Sequence, residues 1–472
     1  MKVSILNSFA KIDEKKADEL LNLEIAKNTK KIVVLDDDPT GVQTVHDISV
    51  YTGWDKESIL SGFNEKNNLF YILTNSRGFT HEQTTNAHHE ISKIVNDVAN
   101  ETKREYIFIS RSDSTLRGHY PLETKLLKDD YEKYTGKIID GEILCPFFKE
   151  GGRFTINNVH YVKYGDDLIP ANETEFAKDK TFGYTAATLP EYIEEKTKGE
   201  FKAKDVTCIS LEDIHAMNFD KIESQLMSVK NFNKIIVNAV DYPDLKVFCI
   251  ALYRAMSKGK VFMFRTAASI VKVMGGVTDQ PLLTREKMVT LKNDNGGIIV
   301  VGSHTDKTTR QLESLKTLKN IEFIELDARL VRDDEKFENE VKRCLDLEEK
   351  CIKSGKSVCC YTTRALITAD TGDKEDELRL SVKISDAVQS LVGNLKVTPA
   401  FVIAKGGITS SDVGTKALKV KRADVLGQIR PGIPVWRTGN ESKFPSTPYV
   451  IFPGNVGDDE TLKEAVEILT KK

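Results

Sequence analysis

Residues 106–124 read Tyr106-Ile107-Phe108-Ile109-Ser110-Arg111-Ser112-Asp113-Ser114-Thr115-Leu116-Arg117-Gly118-His119-Tyr120-Pro121-Leu122-Glu123-Thr124. The apolar run Tyr106 to Ile109 stops abruptly. Residues 110–124 then carry two arginines, an aspartate, hydroxyls, a glycine, a histidine and a glutamate. A buried strand that delivers charge at its C-terminal end is how open α/β sheets build sites. Arg111 and Arg117 are able to fork a carboxylate or phosphate, and Asp113 between them to take a proton from a hydroxyl. The stretch points to an enzyme for a small, anionic, hydroxylated molecule, set against the plainer reading of an ion-paired loop closing a strand.

The pattern repeats outward from this stretch. Apolar runs at Lys31–Leu35, Leu69–Leu73, Glu142–Pro146, Asp205–Ser210, Lys234–Ala239 and Lys260–Phe264 read as further strands. Helices are expected over Glu82–Val98, Leu122–Lys133, Asp220–Val229 and Asp244–Ser257. Such alternation predicts a largely parallel sheet flanked by helices. The polar segment Lys292-Asn293-Asp294-Asn295-Gly296-Gly297 marks a domain boundary, giving domains 1–290 and 291–472. Beyond it, strands are expected at Ile298–Val301, Ile321–Leu326, Ser357–Tyr361, Ala400–Ala404, Val435–Thr438 and Tyr449–Phe452. Helices are expected at Asp306–Lys316, Glu335–Lys353, Glu375–Leu391, Asp412–Leu418 and Glu460–Lys471. The fold class is therefore α/β, with two domains and the active site in the cleft between them.

Bulk properties exclude several classes. The chain has 472 residues, too many for one core. A net charge of -3 gives no basic footprint for a nucleic-acid partner. No run approaches the ~18 apolar residues of a membrane span, and the charged N-terminus lacks a signal-peptide core. Seven cysteines without a Cys-x-x-Cys read as free thiols of a cytoplasmic protein, with no structural transition metal.

Three aspartates come after the first strand, in Asp36-Asp37-Asp38-Pro39-Thr40-Gly41. Consecutive carboxylates repel and persist best where cations or shared protons compensate. Thr74-Asn75-Ser76-Arg77-Gly78 ends the second strand with another guanidinium. Asp38, Arg77, Arg111, Asp113 and Arg117 thus come from successive strand ends that share one edge of a parallel sheet. In the second domain, Gly302-Ser303-His304-Thr305-Asp306 and Lys405-Gly406-Gly407-Ile408-Thr409-Ser410 each link a strand to a helix. Both offer free backbone amides to phosphate, though ordinary helix capping has the same residues. Gly427-Gln428-Ile429-Arg430-Pro431-Gly432-Ile433-Pro434 reads as turn-rich, and Pro453-Gly454-Asn455 succeeds the last strand. Asp36-x-Asp38-x-Thr40 also matches the signature of haloacid-dehalogenase-like phosphohydrolases, in which Asp36 would be the nucleophile. That reading leaves the Arg111–Arg117 cluster and the second domain unexplained. Gly355-Lys356-Ser357 has the end of a phosphate-binding loop but precedes a strand, so it reads as a turn.

Taken in order, these motifs resemble the four-carbon acid sugar kinase family, which includes D-threonate, D-erythronate and 3-oxo-tetronate kinases. The resemblance spans nearly the whole chain. It implies an N-terminal domain for the sugar acid and a C-terminal domain for ATP with Mg2+. Asp38 and Asp113 would be the catalytic candidates. Asp37, Arg77, Arg111, Ser114, Thr115 and Arg117 would bind the sugar acid. Ser303, Thr305, Gly407, Thr409, Gly427, Gln428, Ile429 and Gly454 would lie near the nucleotide. A non-catalytic sensor of the same ligands, and a homo-oligomer, stay open. The chain also carries a segment over 146–184, with Arg153, His160, Glu175, Lys178 and Asp179, that looks like a longer subgroup. These side chains either reshape the pocket or hold a long loop in place.

Overall fold

The computed structural model describes residues 1–291, 293–365, 367, 374–454 and 456–471. Lys292 of the boundary segment and Asn455 after Gly454 lie outside the described residues. The chain divides into two compact units, one of Met1–Thr44 with Gly53–Asp279, the other of Val45–Thr52 with Gln280–Lys472. The long segment of the second unit thus starts at Gln280, before the polar segment at 292–297. Leu283 and Met288 pack into the core of the second unit, which ties them to it.

In the first unit the strands are β1 (Lys31–Asp36), β2 (Leu69–Leu73), β3 (Tyr106–Arg111), β4 (Gly141–Cys145), β5 (Arg153–Ile156), β6 (Val159–Tyr164), β7 (Asp167–Pro170), β8 (Thr207–Ile209), β9 (Asn233–Val237) and β10 (Phe262–Thr266). Seven of them form a parallel sheet in the order β2-β1-β3-β10-β4-β9-β8. Ile32, Val33 and Val34 of β1 are fully buried, as continuous apolar runs in a parallel sheet must be when both faces are covered. The covering helices include His81–Thr102, opened by a Thr80–Gln83 capping box, and Tyr242–Ser257, opened by Asp241 and Asp244. Connections from β1 run one way to β2, while β3 lies on its other side. The crevice outside the carboxyl ends of β1 and β3 is therefore a topological switch point, the place where open sheets bind ligands. The other three strands form a separate antiparallel sheet, β5-β6-β7. It occupies a stretch that reads in sequence as a long loop.

In the second unit the strands are β11 (Ile298–Val301), β12 (Ile321–Leu326), β13 (Ser357–Thr362), β14 (Val402–Lys405), β15 (Arg422–Arg430), β16 (Ile433–Thr438) and β17 (Pro448–Phe452). The order β12-β13-β11-β14-β17 is parallel. β16, β15 and the short strand Ile48–Tyr51 then continue it antiparallel. The sheet is mostly parallel, as expected, but the stretch from Gly427 to Pro434 is not a loop. Arg422–Arg430 is a strand whose residues alternate half-buried and buried throughout, and Pro431-Gly432 turns it into β16. Its register against β16 shifts between Val425 and Gly427. β11 and β14 flank the switch point of this unit.

Candidate active site

The carboxyl ends of β1, β2 and β3 bring Asp36, Asp37, Asp38, Arg77, Arg111, Asp113 and Arg117 into one lattice. Arg77 grips Asp37 with two nitrogens, at 3.1 and 2.7 Å, and reaches Asp38 at 3.1 Å. Arg111 grips Asp36, with Nε to Oδ1 at 2.8 Å, and donates to the Asp38 carbonyl at 3.0 Å. Arg117 Nε donates to Asp113 at 2.7 Å, and the Thr115 hydroxyl donates to the same carboxylate oxygen. Asp38 also accepts from the Thr40 amide at 2.8 Å and hydroxyl at 2.6 Å. Gly41 is required here, because a Cβ would fall on the Arg111 guanidinium and the Asp36 carboxylate.

These environments separate the carboxyls. Burial, then the neighbouring Asp37 and Asp38, push Asp36 up to about 7 against the pull of Arg111. Against the cost of burial, Arg77 and Thr40 hold Asp38 below the ordinary carboxylate value. Against the same cost, Arg77 and Arg117 hold Asp113 far below it. Asp36 is only 1% exposed, so it cannot reach a phosphorus atom as a nucleophile. Arg111 is 4% exposed and occupied by Asp36, so the structure places it under the crevice floor. Asp38, Asp113, Arg77 and Arg117 keep partly open side chains.

The segment after β4 clamps the loop that carries these groups. His160 Nε2 donates to the Ser114 carbonyl at 2.7 Å, Tyr184 to that of Thr115 at 3.1 Å, and Tyr192 to that of Leu116 at 2.8 Å. Three consecutive carbonyls are thus fixed. This helps Leu116 hold a φ of 71°, a strained value for a leucine. Burial pushes His160 down to about 4. It is therefore neutral, with Nδ1 accepting from Thr155 at 2.9 Å. Ser114 and Thr115 enter through their backbones and the Thr115 hydroxyl.

Sequence reading missed a second tier beneath the lattice. Glu123 is buried and accepts from Ser76 at 2.6 Å and Ser110 at 3.4 Å. Arg265, on β10, is buried and donates to the Arg117 carbonyl at 2.8 Å. A lone arginine inside the apolar run Phe262-Met263-Phe264-Arg265 was the available signal.

In the second unit, β11 and β14 are parallel neighbours, so the turns after Val301 and Lys405 lie side by side. Thr305 caps the helix Asp306–Leu315 through the Thr308 amide, and the Thr308 hydroxyl donates to Ser303 at 3.1 Å. Gly406 has a φ of 123°, and a Cβ there would lie 3.1 Å from Ser303 Cβ and 3.2 Å from Thr409 Oγ1. Lys405 is fully buried and donates to the carbonyls of Pro453 at 2.6 Å and Gly454 at 3.2 Å, fixing the strap that holds Gly454. Beside these turns opens a 430 Å³ cavity. Its lining includes Ser303, Gly407 and Thr409 from the turns, the apolar Ile367, Val382, Val388 and Ile408, and the polar Ser385, Asp412 and Lys416. Ile408 is 74% exposed, an unusual degree for a large apolar side chain beside a cavity.

Gly427, Gln428 and Ile429 do not line this cavity. Ile429 is buried in the core, and Gln428 accepts from the Gly432 amide to close the β15–β16 hairpin. Asp458 accepts from the Thr461 hydroxyl at 2.7 Å just ahead of the last helix, and Gly355 turns the chain into β13. The seven cysteines are free. Among the described residues, no group of three or more His, Cys, Asp or Glu is arranged to hold a metal ion, and no helix is long and apolar enough to cross a membrane.

Residues 32–274 match a family model described as a sugar-binding N-terminal domain, and residues 298–462 one described as a nucleotide-binding C-terminal domain. Among solved structures, the chain is similar to a Haemophilus influenzae protein at 19% identity, with a TM-score of 0.60, covering 93% of this chain and 100% of that one. It is also similar to a candidate tRNA synthase from Salmonella typhimurium LT2 at 14% identity, with a TM-score of 0.66, covering 92% and 98%. At these identities the two likenesses bear on the fold alone. No curated protein matches the chain. The sugar-binding match by itself spans more than half of the sequence and contains the whole carboxylate–guanidinium lattice, and the nucleotide-binding match contains both glycine turns; the chain belongs to the four-carbon acid sugar kinase family.

Proposed function

We propose that the protein is an ATP-dependent kinase that phosphorylates a hydroxyl of a small sugar acid, one with four carbons. The observation that carries this reading is the pairing of two switch-point crevices with complementary equipment. One holds a lattice of aspartates and arginines suited to a polar, anionic acceptor. The other holds glycine turns suited to phosphates, next to an apolar cavity large enough for a nucleobase.

In this reading the adenine covers Ile408 and Val382, and the phosphates meet the amides around Ser303, Gly406, Gly407 and Gly454. The acceptor hydroxyl is oriented by Asp38 and Asp113, which share Arg77 as a counter-charge. Phosphoryl transfer asks the protein chiefly for positioning and charge stabilisation, so strongly acidic carboxylates suffice to orient a hydroxyl. Transfer requires the γ-phosphate to meet that hydroxyl in line. The residues fit ATP. Among the described residues no carboxylate cage for magnesium is arranged, and the ion would come already bound to the nucleotide phosphates. Burial of Asp36 speaks against the phosphohydrolase alternative.

The test is ADP release by the purified protein with Mg-ATP and a panel of four-carbon sugar acids. Turnover with at least one acid is expected; no turnover together with no ATP binding sinks the reading.

A further inference from the structure

The acceptor crevice contains more carboxylates than guanidiniums. Asp36, Asp37, Asp38 and Asp113 face Arg77, Arg111 and Arg117, and each of these arginines already has a carboxylate partner. Asp179 adds a fifth carboxylate 3.9 Å from Arg117. A sugar acid brings one more negative charge. Arg77 and Arg111 are filled by their partners, whereas Arg117 spends only Nε on Asp113 and keeps its Nη groups open toward an incoming carboxylate. A single guanidinium already paired to an aspartate only partly offsets that charge, and a desolvated carboxylate short of cations is costly.

Arg265 lies beneath, bonded to the Arg117 carbonyl, and the segment after β4 supplies one more guanidinium. Arg153, the first residue of β5, donates from Nη1 to the Gly151 carbonyl, while its Nε is buried with no hydrogen-bond partner. Its guanidinium carbon lies 5.7 Å from the centre of the Phe176 ring. The Arg117 guanidinium carbon lies 5.1 Å from the centre of the same ring. Phe176 is itself packed among Leu116, Val162, Tyr184 and Tyr192, so both guanidiniums rest on a fixed surface. Burial weakens the hold of Arg153 on its proton, with Asp113 acting in the opposite sense. It is a half-buried cation beside the loop that carries Asp113, with its Nε unpaired and Asp113 and Glu175 as the nearby carboxylates.

We propose that Arg153 is a specificity-determining residue that receives the carboxylate of the acceptor, beside Arg117 on the Phe176 ring. This rests on the kinase reading above. It also gives the 146–184 segment a role: its β5-β6-β7 sheet delivers Arg153, and its His160 and Tyr184 fix the loop that Arg153 faces.

The test compares the wild type with Arg153→Gln and Arg153→Lys, using D-erythronate and D-threonate as acids and the neutral erythritol and threitol as controls. ADP release gives KM and kcat, and calorimetric titration gives acid and ATP affinity separately. For the acid that is turned over, Arg153→Gln is expected to raise KM by roughly 10- to 100-fold, the loss expected for a charge-assisted hydrogen bond. ATP affinity and the response to the neutral polyols should not change, and Arg153→Lys should fall between. An unchanged KM for the acid in Arg153→Gln, with wild-type turnover intact, overturns the proposal and leaves the kinase reading standing. Wild-type protein that turns over neither acid and binds no ATP overturns the kinase reading. Acid titration still decides the Arg153 role in that case, because equal affinity of wild type and Arg153→Gln, or no binding by either, rejects it. An unchanged melting temperature of the variants shows that the comparison concerns binding and not folding.

Discussion

Replacing Arg111 by Met asks whether this arginine serves the fold or the substrate. Its guanidinium is 4% exposed and is spent on Asp36, which is 1% exposed. Removing one partner of a buried pair costs about 3–5 kcal/mol. In a unit of this size 1 kcal/mol moves the melting temperature by about 2–4 °C, so a drop of roughly 6–20 °C is expected. The pH dependence sharpens the test. Asp36 titrates near 7 in the folded protein, above its ordinary value when unfolded. A carboxyl raised in this way contributes stability at low pH. That stability is lost as pH climbs from the unfolded value to the folded one, and no more is lost above it. The wild-type contribution of Asp36 is therefore flat above pH 7. Without the pull of Arg111 the folded value moves higher still, and the variant goes on losing about 1.4 kcal/mol per pH unit. Scanning calorimetry of ligand-free protein should show the gap between wild type and Arg111→Met widening by about 2 kcal/mol from pH 7 to 8.5. The double variant Asp36→Asn/Arg111→Met should recover much of the loss. A variant that melts with the wild type, or a gap that does not change with pH, refutes the reasoning and returns Arg111 to the substrate.

Other expectations come from the same geometry. Gly406→Ala forces a side chain onto a φ of 123° against Ser303, a strain of about 1–3 kcal/mol. ATP affinity measured by calorimetry should fall roughly 10- to 100-fold while acid binding is kept. Tyr184→Phe removes the donor to the Thr115 carbonyl, so melting should drop by about 2–4 °C and KM for the acid should rise with ATP affinity unchanged. His160 titrates near 4 when folded, below its ordinary value, so the folded protein loses stability as pH falls from about 6.5 toward 4. His160→Gln should flatten that part of the melting-temperature profile; an unchanged slope would show that His160 is not buried as neutral imidazole.

The parts of the fold legible in the sequence are those where one interaction dominates. Continuous apolar runs such as Ile32–Leu35 can only be doubly covered strands, and the charge directly after them marks the switch-point edge. The motif residues Asp37, Asp38, Arg77, Asp113 and Arg117 do gather there. Which arginine is free is not legible, because that depends on pairings across strands: Arg111 meets Asp36 only once β1 and β3 lie side by side. β15 escapes because Leu426 puts an apolar residue on its polar face and Gly427 with the Pro431-Gly432 that ends it reads as turn, although its burial alternates cleanly. The β5-β6-β7 sheet escapes because short, polar, half-exposed strands resemble loops in sequence. Arg153 and Phe176 could not be placed beside Arg117 without it.

The central claim is that phosphate passes from ATP to a sugar-acid hydroxyl. Phosphorus NMR of the protein incubated with Mg-ATP and the four-carbon acids observes this directly. The γ-phosphate signal should be replaced by that of a phosphate monoester of one acid, with ADP in equal amount and no product in Asp38→Asn/Asp113→Asn protein. Appearance of inorganic phosphate alone, independent of any acid and abolished by Asp36→Asn, would contradict it.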